Sequence, residues 1–268
     1  MQTIMLIDSS SLIFRAFYAI HDDDDENHMK VSLGVYKGWL RKFINKYNVT
    51  YVASAMDMNN HKSNNFSLDD NYKAGRTYPE LLKTNFTKFH DAGKELGIYT
   101  FGIDGNEADD VIASTVHKVL GKLRIIVVSC DKDLLQLVDD DNNVMAVSLL
   151  NGGRMKEWHN AEVKEKFDVV HPSQVADWKA LAGDSSDNYF GVNMIGPKSA
   201  SNLLRKYKSV EGIYKALDSG LIAGKTATYL NDGRDDAKMC YSLAKLDSNL
   251  DTPITSIRQL LLSTESNA

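Results

Sequence analysis

The sequence is poor in the residues that mark a disulfide scaffold, a disordered chain or a membrane span. Its 268 residues include only two cysteines, Cys130 and Cys240, with neither zinc nor disulfide spacing, which fits a reducing compartment. Only four prolines occur and aromatic residues are spread along the chain, so low-complexity disorder is excluded. No stretch approaches the roughly 18 consecutive apolar residues of a membrane helix. The run from Met1 to Ser11 has no basic region before it and reads as a buried strand, not a signal peptide. His61, His90, His117 and His171 lack metal-type spacing. The formal net charge is −5, but nine acids named below outweigh that excess. Without them basic residues are in the majority, so global acidity does not argue against a nucleic-acid partner.

What is present is enough apolar sequence, 43%, for one sizeable core or a core with a smaller lobe. Strand-like runs recur at Thr3 to Ile7, Thr50 to Met56, Gly97 to Phe101, Leu123 to Ser129 and Asn143 to Leu149. Helical periods lie between them. Val35, Trp39, Leu40, Phe43, Ile44 and Tyr47 form one; Leu82, Phe86, Phe89 and Leu96 form another, in a segment starting at Pro79, a favoured first-turn proline. Alternating strands and helices predict a parallel sheet covered on both faces. After about residue 160 short helices take over, at Ser173 to Ala182, Pro197 to Tyr207, Val210 to Leu217 and Asp235 to Leu246. The expected organisation is an α/β core over 1–160 and a helical region over 161–268, packed together. The acidic run from Asp22 to Glu26 reads as a solvated loop between the first two helices, since consecutive like charges repel. Methionine and aromatic positions read as core, and Cys130 as a small buried hydrophobe.

Three apolar runs end in an aspartate: Asp8, Asp57 and Asp131. In an open parallel sheet, ligands bind in the crevice outside the carboxyl ends of the strands. A fourth run, Ile98 to Phe101, leads into Gly105-Asn-Glu107-Ala-Asp109-Asp110 at a helix start, and Asp133 follows Asp131 by two residues. Taken singly, each acid has a plain alternative as an N-cap, a helix-dipole partner or a turn residue. Together they would repel in a partly dry crevice, and hard divalent cations such as Mg²⁺ or Mn²⁺ are the natural way to hold them. The helical region adds Asp184 and Asp187. They precede a glycine-punctuated turn, Gly191 to Gly196, which enters a helix at Pro197-Lys198-Ser199. Such a turn presents backbone N–H groups suited to a phosphate.

Five ordered motifs, Asp8-Ser-Ser-Ser-Leu-Ile-Phe-Arg15, Tyr72-Lys73-Ala-Gly-Arg76, Gly105 to Asp110, Ser129-Cys-Asp131-Lys-Asp133 and Gly183-Asp184-Ser-Ser-Asp187-Asn188, resemble those of the flap endonuclease family. The branch most similar is the 5′-nuclease domain of bacterial DNA polymerase I with its stand-alone bacterial and phage relatives. The resemblance runs to about Pro253. It implies an α/β fold: a PIN-like parallel-sheet nuclease core with a helical helix–three-turn–helix DNA-binding region around 173–207. It further implies structure-selective hydrolysis of DNA near a 5′ end or flap, with two divalent metal ions. Asp8, Asp57, Glu107, Asp109 and Asp131 match the first metal site of that family. Asp133 and Asp184 match the second, with Asp109 near both, and Asp110 and Asp187 match further acids of the bacterial branch. Lys73 and Arg76 match a basic pair at the base of a helical gateway spanning about 59–79. Tyr72 matches an aromatic that stacks on a nucleobase, and Arg15 a basic residue near the scissile phosphate. Gly191, Gly196, Lys198 and Ser199 fall in the DNA-binding turn, where a K⁺ ion is a further expectation.

Three positions depart from the family pattern. Asn64-Asn65, followed by Phe66, stands where a Phe-Arg pair is common. Met194 stands in place of the middle glycine of the hairpin. The Asp22 to Glu26 run is unusual, and facing DNA it would weaken binding. The expectation is a monomeric, free-standing nuclease working on branched or 5′-ended DNA in the cytoplasm of a bacterial or phage-infected cell, with no membrane partner. Two other readings stay open: a PIN-type ribonuclease, and a non-catalytic module that grips branched DNA.

Overall fold

The computed structural model describes residues 1–58 and 78–262. Tyr72, Lys73, Arg76, Asn64, Asn65, Phe66 and most of the expected 59–79 gateway lie outside the described residues. Alternation of side chains along the strands fixes the architecture. Strands β1 (Thr3–Asp8), β2 (Tyr51–Ala55), β3 (Tyr99–Phe101), β4 (Arg124–Val128), β5 (Val144–Leu149) and β6 (Met155–Trp158) form one sheet in the order β3-β2-β1-β4-β5-β6. In β1, Met5 and Ile7 enter one apolar cluster and Ile4 and Leu6 the other; β4 sends Ile126 and Val128 one way and Ile125 and Val127 the other. Successive residues of a strand face opposite sides, so runs apolar on every position need cover on both faces.

That cover comes from two sets of helices. Helices α1 (Ser9–Tyr18), α2 (Asp25–Tyr47) and α3 (Glu80–Lys94) pack on the face that holds Met5 and Ile7. The other face receives α4 (Ala108–Val119), and its apolar cluster runs on without a break into α5 (Asn160–Phe167), α6 (Val175–Ala182), α7 (Pro197–Tyr207), α8 (Val210–Asp218), α9 (Gly224–Asp232) and α10 (Arg234–Ala244). The apolar cluster on the second face of the sheet is therefore shared with the helical region. Beyond α10 the chain crosses back to the sheet, where Leu262 N–H donates to the Thr50 carbonyl at 3.0 Å beside the Thr50–Thr3 main-chain bond.

Two details differ from the sequence reading. The sheet is not wholly parallel: β5 and β6 pair antiparallel, joined by a turn with Gly152 at φ 74° and Gly153 at φ 69°. Left-handed backbone favours glycine, and this turn is a hairpin signal that the expected strand pattern passes over. The Asp22 to Glu26 run is also only partly loop. The Asp24 carboxylate accepts from Asn27 N–H at 2.8 Å as the cap of α2, with Asp25 and Glu26 in its first turn, where negative charge complements the helix dipole.

Candidate functional site

Strands β2 and β3 lie to one side of β1, and β4 and β5 to the other. The chain reverses its direction of growth between β1 and β4, and a crevice opens at the carboxyl ends of such a pair. A cleft of about 360 Å³ lies at this edge, lined among others by Asp8, Asp57, Glu107, Asp109, Asp131, Asp184 and Asp187. Acids from β1, the segment after β2, the start of α4, the segment after β4 and the turn after α6 thus meet in one place. Asp110 and Asp133 do not line it. The Asp110 carboxylate accepts from Asp247 N–H at 2.7 Å, and the carboxylate of buried Asp133 pairs with Lys179, which lines the cleft.

Local turns aim these carboxylates. Asp8 ends β1 and caps α1, accepting from Ser11 N–H at 3.0 Å and from the Ser129 hydroxyl at 2.7 Å. Ser129 also accepts from Asp131 N–H at 2.9 Å, and Asp131 from Asp133 N–H at 2.9 Å. Asp57 accepts from the Ser10 hydroxyl at 2.5 Å and from Ala108 N–H at 2.8 Å, which ties the strand β2 segment to the start of α4. Glu107 is buried at the cap position of that helix. Among the described residues, no three histidine, cysteine, aspartate or glutamate side chains converge on a single ligation point. The expected convergence holds for the cleft but not for the side-chain ends, which turn to hydroxyls, amides and an ammonium because like charges repel.

Lys179 is the residue the sequence reading misses. It lies on α6 with 3% exposure, and its ammonium pairs with Asp133 and, at 2.5 Å, with Asp184. A lysine inside the apolar run Val175-Ala-Asp-Trp-Lys-Ala-Leu-Ala is the signal that could have exposed it, since a buried ammonium requires partners. Burial pushes the Asp184 carboxyl up, but Lys179 and then Ser186 outweigh it and hold the group below its ordinary value. Asp8 goes the opposite way. Burial first, then the charge of Asp57, raises its carboxyl to about 7 against the bonds from Ser11 and Ser129, with Asp131 adding to the rise.

This surplus of negative charge, with an all-oxygen donor set, fits a hard divalent cation. It also sets a pH dependence. A carboxyl protonated more readily in the folded than in the unfolded state stabilises the fold at low pH, and that contribution is lost as pH rises through its folded value. Metal-free protein is expected to gain ~2 kcal/mol between pH 7.5 and 5.5 from Asp8. Chemical denaturation at both pH values checks this, with Asp8→Asn flattening the difference.

The remaining site residues are scattered. Arg15, on α1, donates to the Asn151 side chain at 3.3 Å and does not line the cleft. Cys130, two residues past the end of β4, is half-buried: it packs against the apolar cluster that holds Met5 and Ile7 and also lines the cleft. Phe14 and Tyr78 also line the cleft and stack with ring centroids 4.7 Å apart; Tyr78 is an aromatic that the expected core does not hold.

The turn from α6 to α7 carries Gly191 and Gly196, and Lys198 and Ser199 follow at the start of α7. Gly191 has φ 67°, and a Cβ there would collide with the backbone of Gly183 and Leu181. Gly196 caps α7 without a side-chain bond and has open space beside it, with Lys198 and Ser199 exposed in the first turn. Met194 holds φ 65°, a conformation suited to glycine, and is 65% exposed, while nearby Phe190 is 85% exposed. Met194→Gly is expected to raise stability by ~0.5–1 kcal/mol, as relief of left-handed strain exceeds the added chain entropy. The midpoint of urea unfolding reads it.

The chain matches the family described as 5′-3′ exonuclease, N-terminal resolvase-like domain, over residues 3–168, and 5′-3′ exonuclease, C-terminal SAM fold, over residues 170–267. It is 34% identical to the 5′-3′ exonuclease of Bacillus subtilis over 91% of this chain and 82% of that one. With flap endonuclease Xni of Shewanella sediminis the identity is 32%, over 93% and 94% of the two chains. Against DNA polymerase I of Caldicellulosiruptor bescii it spans 29% of the polymerase's length. The fold is that of a T5 5′-exonuclease structure with bound zinc, at TM-score 0.75 and 24% identity, covering 92% of this chain and 90% of that one.

Proposed function

The chain belongs to the 5′-3′ exonuclease family, and from that premise we propose that it is a structure-selective 5′-nuclease, hydrolysing DNA phosphodiesters at 5′ flaps and 5′ ends with two divalent ions. The observation that carries this reading is the acidic cleft at the carboxyl ends of β1 and β4, built from chain-distant segments. A module that only grips DNA has no use for so many carboxylates facing a phosphate.

Asp8, Asp57, Glu107, Asp109 and Asp131 would hold one ion. Asp133 and Asp184 would take part in holding the second, with Asp109 near both and Asp110 and Asp187 further out. Mg²⁺ or Mn²⁺ suits such oxygen donors. When bound, the ions supply the means to deprotonate water near neutral pH and to stabilise charge on the attacking and leaving oxygens of the phosphodiester.

The chain's own groups do the rest. Ser129 and Ser11 orient Asp8, and Ser10 orients Asp57, so the carboxylates are held before substrate arrives. Phe14 and Tyr78 give the cleft an aromatic wall on which a frayed base can stack whatever its identity. Tyr72 is assigned the same task, Lys73 and Arg76 the charge growing on the phosphate, and Arg15 a contact near it. The turn at Gly191 to Ser199 would take a phosphate of the duplex on the free N–H groups of α7, with K⁺ held by its carbonyls. The proposed enzyme is a cytoplasmic monomer acting on branched or 5′-ended DNA.

Digestion of a labelled double-flap DNA with and without Mg²⁺, beside a matched RNA flap, tests the proposal. Short 5′ products from DNA in Mg²⁺ alone are expected. Binding without cutting, or cutting of RNA exclusively, would overturn it.

A further inference from the structure

Helix α4 presents Asp109 to the cleft from its first turn. Carboxylates take two of the N–H groups at that helix start, Asp57 from Ala108 and Asp109 from Asp110, both at 2.8 Å. A further restraint comes from a distant part of the chain. The chain after α10 runs across α4, and three helix positions four residues apart bond it. The Asp110 carboxylate accepts from Asp247 N–H at 2.7 Å. The Ser114 hydroxyl donates to the Asp247 carbonyl at 3.0 Å and accepts from Leu250 N–H at 3.0 Å. The Lys118 ammonium donates to the Ile254 carbonyl at 2.6 Å. Positions four apart share one helix face, so these bonds form a single ladder between α4 and a segment that has no regular structure of its own. Gln136 fastens the start of the same segment, donating to the Ala244 carbonyl at 3.0 Å and accepting from Leu246 N–H at 3.3 Å. It belongs to the short 3₁₀ turn, Asp133–Leu137, that begins at Asp133.

We propose that residues 245–254 act as a strap that fixes the first turn of α4 and the turn beginning at Asp133, and that Ser114 is a positioning residue for the nuclease reaction. The proposal rests on the reading of the cleft given above. Ser114 is 3% exposed, so its hydroxyl has no water to fall back on and depends on the strap for both bonds. The strap depends on it in turn, since the buried Ser114 hydroxyl bonds both Asp247 and Leu250 at its centre, while the exposed Lys118 ammonium reaches Ile254 and, at 3.4 Å, the Thr252 hydroxyl nearer its end. It stands one helical turn beyond Asp110 on the same face and touches none of the cleft. Loss of its hydroxyl frees the strap at its centre and lets the start of α4 shift, and misplacement by about 1 Å near a reacting centre costs up to ~10²-fold in rate.

The test compares Ser114→Ala, which removes both bonds, with Ser114→Thr, which keeps a hydroxyl. At a temperature well below unfolding, Ser114→Ala is expected to lower kcat on flap DNA about tenfold, leaving KM within about twofold. Ser114→Thr is expected to retain most of the turnover. In metal-free, DNA-free protein, amide exchange at residues 108–111 is expected to quicken in the alanine variant and not in the threonine variant. A lower melting temperature with unchanged kcat and unchanged exchange at 108–111 would overturn the proposal, because a merely structural serine gives that result. Lys118→Met cuts an exposed rung and keeps the fold intact where Ser114→Ala does not; a two- to threefold fall in kcat is expected, on the order of one weakened bond, and no change in kcat or exchange would count against the strap. Parent protein that fails to cut flap DNA overturns the nuclease reading, while the exchange readout still decides the strap.

Discussion

Asp131→Asn is expected to lower Mg²⁺-dependent turnover by about 10³-fold or more, with DNA affinity measured in Ca²⁺ unchanged or tighter. Asp131 follows β4 at the centre of the sheet's carboxyl edge, accepting from Asp133 N–H at 2.9 Å. An asparagine keeps the shape and one acceptor oxygen, so the turn after β4 persists and the loss is one of charge. Removing a negative group from a cleft that faces phosphate lessens repulsion of the backbone, which is why binding does not fall with turnover. Single-turnover cleavage and a binding titration on the same flap substrate separate the two. Retained turnover with the expected binding would remove Asp131 from the proposed metal ligands.

The second large effect belongs to Lys179. Its ammonium sits between Asp133 and Asp184 with almost no contact with solvent. Lys179→Met keeps the length of the side chain and leaves two carboxylates without their buried counter-charge. Breaking such a pair from one side costs ~3–5 kcal/mol, so urea denaturation of the metal-free protein should show a much lower midpoint. Asp184, held below its ordinary value chiefly by this lysine against the effect of burial, should then protonate more readily. The variant should therefore recover stability as pH falls toward the range of an unpaired carboxyl. Mn²⁺ should restore part of the loss at neutral pH, because a divalent ion can take over the neutralising part. An unchanged midpoint would mean that the ion pair contributes nothing.

Some of this was written locally in the chain and some was not. The inner strands are legible because β1, β2, β4 and β5 are apolar on consecutive positions, the pattern demanded by burial on both faces. Helix α7 begins at Pro197 and ends at Tyr207, as its proline and apolar spacing announce. The acidic cleft follows from a topological rule applied to aspartates that end strands. Strand β6 was missed since Met-Lys-Glu-Trp carries two charged residues in four, as an edge strand tolerates. Helix α9 buries only Leu230, too little to leave a period. Helix α5, with Val163 and Phe167 buried, is equally short of signal. Lys179 and the strap share a deeper reason. Lys179 pairs with Asp133, more than 40 residues away, as well as with nearby Asp184, and the strap acts through main-chain groups that have no side-chain signature. Cys130, just past β4, and Tyr78, just before α3, show the converse limit: an apolar letter beside an element's end does not say whether it faces core or cleft.

The return of the chain to Thr50 has a practical outcome. Thr3 and Leu262 bond the same residue, so both ends of the described chain lie at the amino edge of the sheet. Asp8 and the cleft stand at the opposite edge, about 16 Å away along β1 at the usual rise per residue. A dye or a surface tether attached beside Thr3 or Leu262 would sit on the far side of the sheet from the acidic cleft, leaving the mouth of that cleft clear.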